Sequence, residues 1–297
     1  MRASDSQSLW FWIMAAPAIA GFVLFSLGPM LASGYLSLTQ YDVVSPPRFI
    51  GMDNYLYLMK DDPAFWPSVK VTIIYACVSV PLGLALSLGI ALLLNRRVRL
   101  LGSFRTIYFL PSLLPATASG VVWIYIFHPN QGLLNRLLAD VGVTGPAWTQ
   151  SVDWALPALI IMGLWGFGGA MVIFLAGLQD VPASLYEAAE LDGASTLEQF
   201  RHVTFPMISP VIFFNLVMGI IAALKAFDSA YVFGMASSGV PGGPARATLF
   251  YVLNLYLKAF NYFHMGLASA MAWLLFLAIV LLTWLNFRLA KRWVHTR

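Results

Sequence analysis

Between Asp180 and His202 the chain sets five carboxylates (Asp180, Glu187, Glu190, Asp192 and Glu198) against one arginine, Arg201. Acids grouped around a smooth surface can pair with basic groups on a partner. Local signals say how they are held. Asp180 precedes Pro182, a residue suited to a first helical turn, and ASLYEAAELD is made of good helix formers. Gly193 can take the left-handed conformation that ends a helix. Ser195 and Glu198 form an S-x-x-E capping box, which starts a second helix at once. Pro206 and Pro210 are expected to bound it. Ala188 and Ala189 give the first helix a smooth patch that allows close approach.

Other chemistry is excluded by type and spacing. A phosphate-binding loop needs Gly-Lys-Ser/Thr, and none of Lys60, Lys70, Lys225, Lys258 and Lys291 follows a glycine. There is no G-x-S-x-G elbow, no H-E-x-x-H and no pair of intramembrane acids. Cys77 is the single cysteine, and His128, His202, His264 and His295 are scattered, so no metal set is expected. The basic residues cluster beside apolar segments, which is a topology signal and not a nucleic-acid footprint.

The elements that carry the acidic stretch are membrane helices. The chain is 60% hydrophobic and 10% charged, where soluble domains average about 25% charged. No charge occurs from Ser6 to Tyr41. A cleaved signal has an apolar core of about 7–15 residues, so this longer run reads as an uncleaved first span. Segments 11–38, 71–94, 106–127, 155–178, 207–232 and 265–287 are each long and apolar enough for a membrane helix. The basic clusters Arg96-Arg97-Arg99-Arg105 and Arg288-Lys291-Arg292-Arg297 closely flank spans. Excess basic charge belongs in the cytoplasm, which puts both termini and the loop 180–206 there.

A solvated linker does not require Glu-Ala-Ala, then Asp-Gly, then a proline at a set distance. The pattern Glu187-Ala188-Ala189, Asp192-Gly193-Ala194, Phe200 and Pro206 resembles the EAA signature of permease subunits of binding-protein-dependent ABC importers. FIGMDNYLYLMKDDPAFW (49–66), FRTIYFLPSLLPATASGVVWIYIFHPNQGLLN (104–135), AFDSAYVF (226–233), GGPARAT (242–248) and MGLASAMAW (265–273) are similar to its carbohydrate-uptake branch, the relatives of the maltose and glycerol-phosphate permeases. The chain departs from that branch at Val71, where asparagine is usual, and in the extra GMASSGV before Gly242.

The resemblance implies an all-α integral membrane protein with the type I ABC importer permease fold. Residues 1–297 would be one permease domain of six transmembrane helices with a cytoplasmic coupling helix. The coupling residues would be Glu187, Ala188, Ala189, Asp192, Gly193, Phe200 and Pro206. They would dock a separate ABC ATPase, two copies per complex, which binds ATP and magnesium. This chain would bind no cofactor and would not be an enzyme. A second, homologous permease would complete the pathway, and an extracytoplasmic sugar-binding protein would deliver the sugar. The setting would be a prokaryotic plasma (inner) membrane, with lipid around the spans and no nucleic acid as partner.

Candidate pathway residues come from the same resemblance and from intramembrane polarity. Trp165, Gly166 and Gly169 resemble, by distance before the EAA motif, positions lining the sugar site of the maltose permease. An indole face packs on sugar C–H surfaces and glycines leave room; both types also serve plain helix packing. Lys225 and Asp228 sit three apart in the fifth expected span, so they either satisfy each other on one helix face or line the route. Phe227 and Tyr231 complete the set. The competing function is a self-contained ion-coupled carrier or channel. It needs membrane-buried carboxylates, and Asp228 is the one acid within the expected spans.

Overall fold

The computed structural model describes residues 2–96 and 100–294. Arg97, Arg99 and Arg297 of the basic clusters, and His295, lie outside the described residues. Four continuous helical stretches are long and apolar enough to cross a membrane: Trp10–Ser37, Phe65–Leu94, Thr196–Leu224 and Met265–Ala290. Two bent pairs, Leu101–Leu113 with Ala116–Ile126 and Val152–Leu164 with Gly168–Gln179, raise the number to six when each is taken as one span. The residues group into two compact units, Met1–Asp62 with Leu255–Leu277, and Pro63–Asn254 with Ala278–Arg297.

In the first unit, α1 (Arg2–Phe22) passes through a π-helical turn, Val23–Leu27, into α2 (Gly28–Ser37). A short antiparallel pair follows, β1 (Thr39–Gln40) with β2 (Arg48–Phe49), a small exception to the all-helical expectation. α3 (Asp53–Lys60) carries the buried Asn54. Its amide donates to the carbonyls of Ser37 and Thr39, both at 2.8 Å. Ser37 ends α2, so the bond occupies a carbonyl that a helix end leaves without a partner. On the last helix, Met265–Ala290, Trp273 lies against Gly34; a Cβ there would sit 3.1 Å from the indole. The same indole donates to Ser33 Oγ at 3.2 Å. Lys258 Nζ meets Asp62 Oδ2 at 2.8 Å, with the side chains 10% and 2% exposed.

In the second unit come α4 (Phe65–Leu94), α5 (Leu101–Phe109), α6 (Ala116–Ile126), α7 (Leu133–Asp140), α8 (Val152–Leu164), α9 (Gly168–Gln179), α10 (Ala183–Leu191), α11 (Thr196–Gln199), α12 (Phe205–Leu224) and α13 (Asp228–Ser238). α14 (Tyr251–Tyr256) and α15 (Met265–Ala290) complete the chain. α4 packs against α8, α9 and α12. Ala91, Leu94, Met171, Phe174, Leu175, Leu178 and Ile208 form the core there. Close approach of membrane helices needs small residues, because lipid tails are as apolar as leucine. Gly177 meets that need on α9: a Cβ would fall 2.8 Å from Val211.

Three expected spans differ in the structure. The stretch 106–127 is two helices set at 99°. Leu114 is extended, with ψ 136°, as the ring of the following Pro115 demands of its predecessor. The stretch 155–178 bends by 45° across residues 165–167. The fifth expected span, 207–232, ends as α12 at Leu224. Phe227 leaves helical dihedrals (φ −140°, ψ −62°) and α13 begins at Asp228. Lys225 therefore sits at the negative end of one helix and Asp228 at the positive start of the next, and each charge complements its helix dipole. They do not share a helix face, and no ion pair joins them among the described residues.

Candidate functional site

Local sequence builds the acidic loop in order. Pro182 is extended (ψ 130°) and stands immediately before α10. At the other end Gly193 has φ +78°. Its N–H donates to Glu190 O at 3.0 Å, and the N–H of Ala194 donates to Ala189 O at 2.9 Å. Those are the two bonds of a Schellman motif, which closes a helix on a left-handed residue. The chain then turns straight into the next helix. Ser195 N–H donates to Glu198 Oε2 at 2.7 Å and Glu198 N–H donates to Ser195 Oγ at 3.4 Å, a reciprocal capping box.

The second helix does not stop at Pro206, as the sequence led us to expect. It runs through a π-helical stretch, Phe200–Thr204, into α12, and the N–H of Phe205 reaches back to Phe200 O. The wider π turn absorbs the position just before a proline that has no N–H to give. One side chain ties α10 to this rod and a second braces the turn between them. Tyr186 Oη and Thr204 Oγ1 are hydrogen-bonded at 3.0 Å. Gln199 Nε2 donates to Ala194 O at 3.3 Å. Phe200 lines a hollow of about 620 Å³ with Tyr186, Glu190 and Arg96.

The outer surface of the loop is open. Glu187, Ala188, Asp192 and Gly193 are exposed, and Ala189 is half-buried. Leu191 is 90% exposed and Leu197 75%. Sequence reasoning passed over these leucines; the available signal was large apolar residues in a polar loop. The loop thus presents a short, capped, acidic helix with two bare leucines beside it.

The residues expected to line a pathway are placed less compactly. A groove of about 450 Å³ runs between α4, the α8–α9 bend and α12. Tyr75, Ser79 and Ser87 line it from α4, Gly163 and Gly166 from the bend, and Asn215 and Gly219 from α12. Of the sequence-derived candidates, Gly166 lines this groove, whereas Trp165, Gly169, Lys225, Phe227, Asp228 and Tyr231 do not. Trp165 packs edge-on against Trp123 at 5.9 Å. Phe227 and Tyr231 stack on each other at 5.7 Å. Lys225 and Asp228 are exposed in the single chain.

Tyr75, Ser79, Ser87 and Asn215 were missed from sequence, although each is a polar residue inside an apolar run. Ser87 Oγ donates to Gly83 O at 2.7 Å and reaches Phe167 O at 3.2 Å, which pins the bend to α4. Gly163 leaves room for the Tyr75 hydroxyl, which lies 2.8 Å from where a Cβ would be. Asn215 Nδ2 donates to Val211 O at 3.0 Å. The wall carries hydroxyl, phenol and amide groups and no charge, so it offers hydrogen bonds without ionic attraction.

Comparison with known proteins agrees with this architecture. Residues 79–295 match the family described as binding-protein-dependent transport system inner membrane component. Over 296 residues the chain is 40% identical to the probable ABC transporter permease protein YesP of Bacillus subtilis (strain 168), covering 99% of this chain and 94% of YesP. Over 277 residues it is 33% identical to the trehalose/maltose transport system permease protein MalF of Thermococcus litoralis, covering 92% and 90%. It shares a fold, with a TM-score of 0.83 over 97% of both chains at 19% identity, with a crystal structure of a bacterial ABC transporter involved in the import of the acidic polysaccharide alginate. The fold is that of type I ABC importer permeases, and the chain is a multi-pass membrane protein. By the match over most of its length, the chain belongs to the binding-protein-dependent transport system inner membrane components, the permease subunits of ABC importers.

Proposed function

We propose that this chain forms half of the translocation pathway of an ATP-driven sugar importer and is moved by a separate ATPase through α10. The carrying observation is the build of the loop. A helix of nine residues is closed by a Schellman motif, fastened to the fifth membrane helix through Tyr186, and left with its acidic face bare. A rigid lever of this kind transmits force from a partner that grips it; a mobile linker does not. Glu187, Ala188, Ala189, Asp192 and Gly193 form the docking face, and Phe200 and Pro206 join it to the span.

The remaining assignments rest on the same reading. Two ATPase subunits hold ATP and magnesium, since this sequence has no phosphate loop. Their closure pulls α10 and turns the cavity outward, and hydrolysis lets it turn back, a two-state alternating access. A second permease supplies the other half of the pathway. The MalF relative is named for trehalose and maltose, and a neighbouring fold is seen with an alginate pentasaccharide-bound periplasmic protein. We extend sugar cargo and delivery by an extracytoplasmic binding protein to this chain on that basis. The groove is uncharged and largely apolar, with Tyr75, Ser79, Ser87 and Asn215 as its polar groups, which suits a neutral solute with both C–H faces and hydroxyls. The basic clusters in the sequence favour cytoplasmic termini in a prokaryotic inner membrane.

Reconstitution tests this reading. The chain alone is expected to hydrolyse no ATP. With its ATPase and second permease it is expected to show hydrolysis stimulated by a loaded sugar-binding protein. ATP turnover or ion-driven uptake by the highly purified chain alone overturns the proposal.

A further inference from the structure

The groove at the end of the last helix plays no part in the coupling scheme. It lies between the start of α12 and the end of α15, within the second unit, and holds about 790 Å³. Trp284, Phe287, Arg288 and Lys291 are spaced i, i+3, i+4 and i+7, so one face of α15 and the turn after it present them. Pro210 and Phe213 supply the facing wall. Phe213 packs edge-on against Phe287 at 5.0 Å. The Arg288 guanidinium lies 5.3 Å from the centre of the Trp284 ring.

Charge in this groove has one sign. No acid lines it, and none occurs from Met265 to Arg297. Among the described residues neither Arg288 nor Lys291 has an ion-pair partner. Cations at the end of a helix offset its dipole. That role needs neither alignment on one face nor an aromatic wall beside them.

We propose that this groove binds an anionic phospholipid, with its phosphate between Arg288 and Lys291 and an acyl chain along Phe213 and Phe287. Charge complementarity and position select this occupant. Basic side chains beside apolar walls at the end of a membrane helix stand at headgroup depth, where anionic lipid is the abundant counter-charge. The proposal requires that α15 crosses the membrane and does not depend on the cargo or the ATPase.

The test is competition between lipids. Purified full-length chain, with whatever subunits accompany it, is equilibrated in detergent with equal amounts of phosphatidylglycerol and phosphatidylcholine and read by native mass spectrometry. Retention of phosphatidylglycerol about tenfold over phosphatidylcholine is expected for two cations at headgroup depth. The double variant Arg288→Gln, Lys291→Gln is expected to lose that preference. Arg292→Gln, outside the groove, is expected to keep it. So is Arg288→Lys, Lys291→Arg, which also controls for folding. Equal retention of the two lipids overturns the proposal, as does an unchanged preference in the double glutamine variant or an equal loss in Arg292→Gln. Displacement of the lipid by millimolar inorganic phosphate overturns it in favour of a free-phosphate site. A photo-crosslink from position 287 to another protein chain, with no lipid retained, overturns it in favour of a protein interface.

Discussion

Tyr186 on α10 is joined to Thr204, hydroxyl to hydroxyl at 3.0 Å, at the root of the helix that becomes the fifth span. The bond makes the acidic helix and the span one mechanical piece. Tyr186→Phe removes it and keeps the ring. A net hydrogen bond is worth about 1 kcal/mol, so the fold survives. The expected result is normal assembly with a several-fold lower ratio of sugar transported to ATP hydrolysed. An unchanged ratio speaks against the tie.

Gly193 tests the turn itself. It has φ +78°, and nothing lies within 4 Å of an added Cβ. Substitution there is governed by backbone strain and not by crowding. A left-handed L-residue costs about 1–2 kcal/mol, asparagine less and a β-branched residue more. Uptake is expected to fall in the order Gly193, Gly193→Asn, Gly193→Ala, Gly193→Val. If the asparagine variant transports worse than the alanine variant, strain is not what limits the turn.

Much of this loop was legible in the sequence, because caps are local. Gly193 and the Ser195–Glu198 box act within a few residues of themselves, so their types alone place the helix ends. The continuation past Pro206 was not legible, since a π turn has no residue signature of its own. Hydropathy found the apolar runs but not their breaks. It counts residues 207–232 as one greasy stretch, although the chain leaves the helix at Phe227. The groove was illegible for another reason: Tyr75, Ser79 and Asn215 converge only after distant helices pack. Asp62 and Lys258 likewise meet from opposite parts of the sequence.

The break at Phe227 changes what Lys225 and Asp228 should do in a double-mutant cycle. Each closes or opens a different helix, and no ion pair joins them. Asp228→Leu is therefore not expected to rescue Lys225→Met in thermal unfolding, since no ion pair is there to strand. Rescue of Lys225→Met by the second change would restore the single-helix pairing and contradict the break.

The ion pair between Lys258 and Asp62 behaves differently, because both side chains are buried. Removing one partner strands a charge, a loss of about 3–5 kcal/mol. Lys258→Met is expected to lower the unfolding temperature in detergent, and adding Asp62→Leu is expected to recover most of it. Equal damage in the single and double variants would mean that packing, and not charge, sets the stability there.

In the proposed scheme a separate ATPase grips the exposed face of α10, and Glu187 is the charge to reverse. It is exposed, so Glu187→Lys should leave the permease folded. Losing an interfacial charge pair and inverting its sign costs several kcal/mol, which predicts at least about a tenfold loss of ATPase in a pull-down on the tagged chain. Asp140→Lys, at the end of α7, serves as the control and is expected to retain the ATPase. Full ATPase recovery and normal sugar uptake by the Glu187→Lys variant would contradict the account.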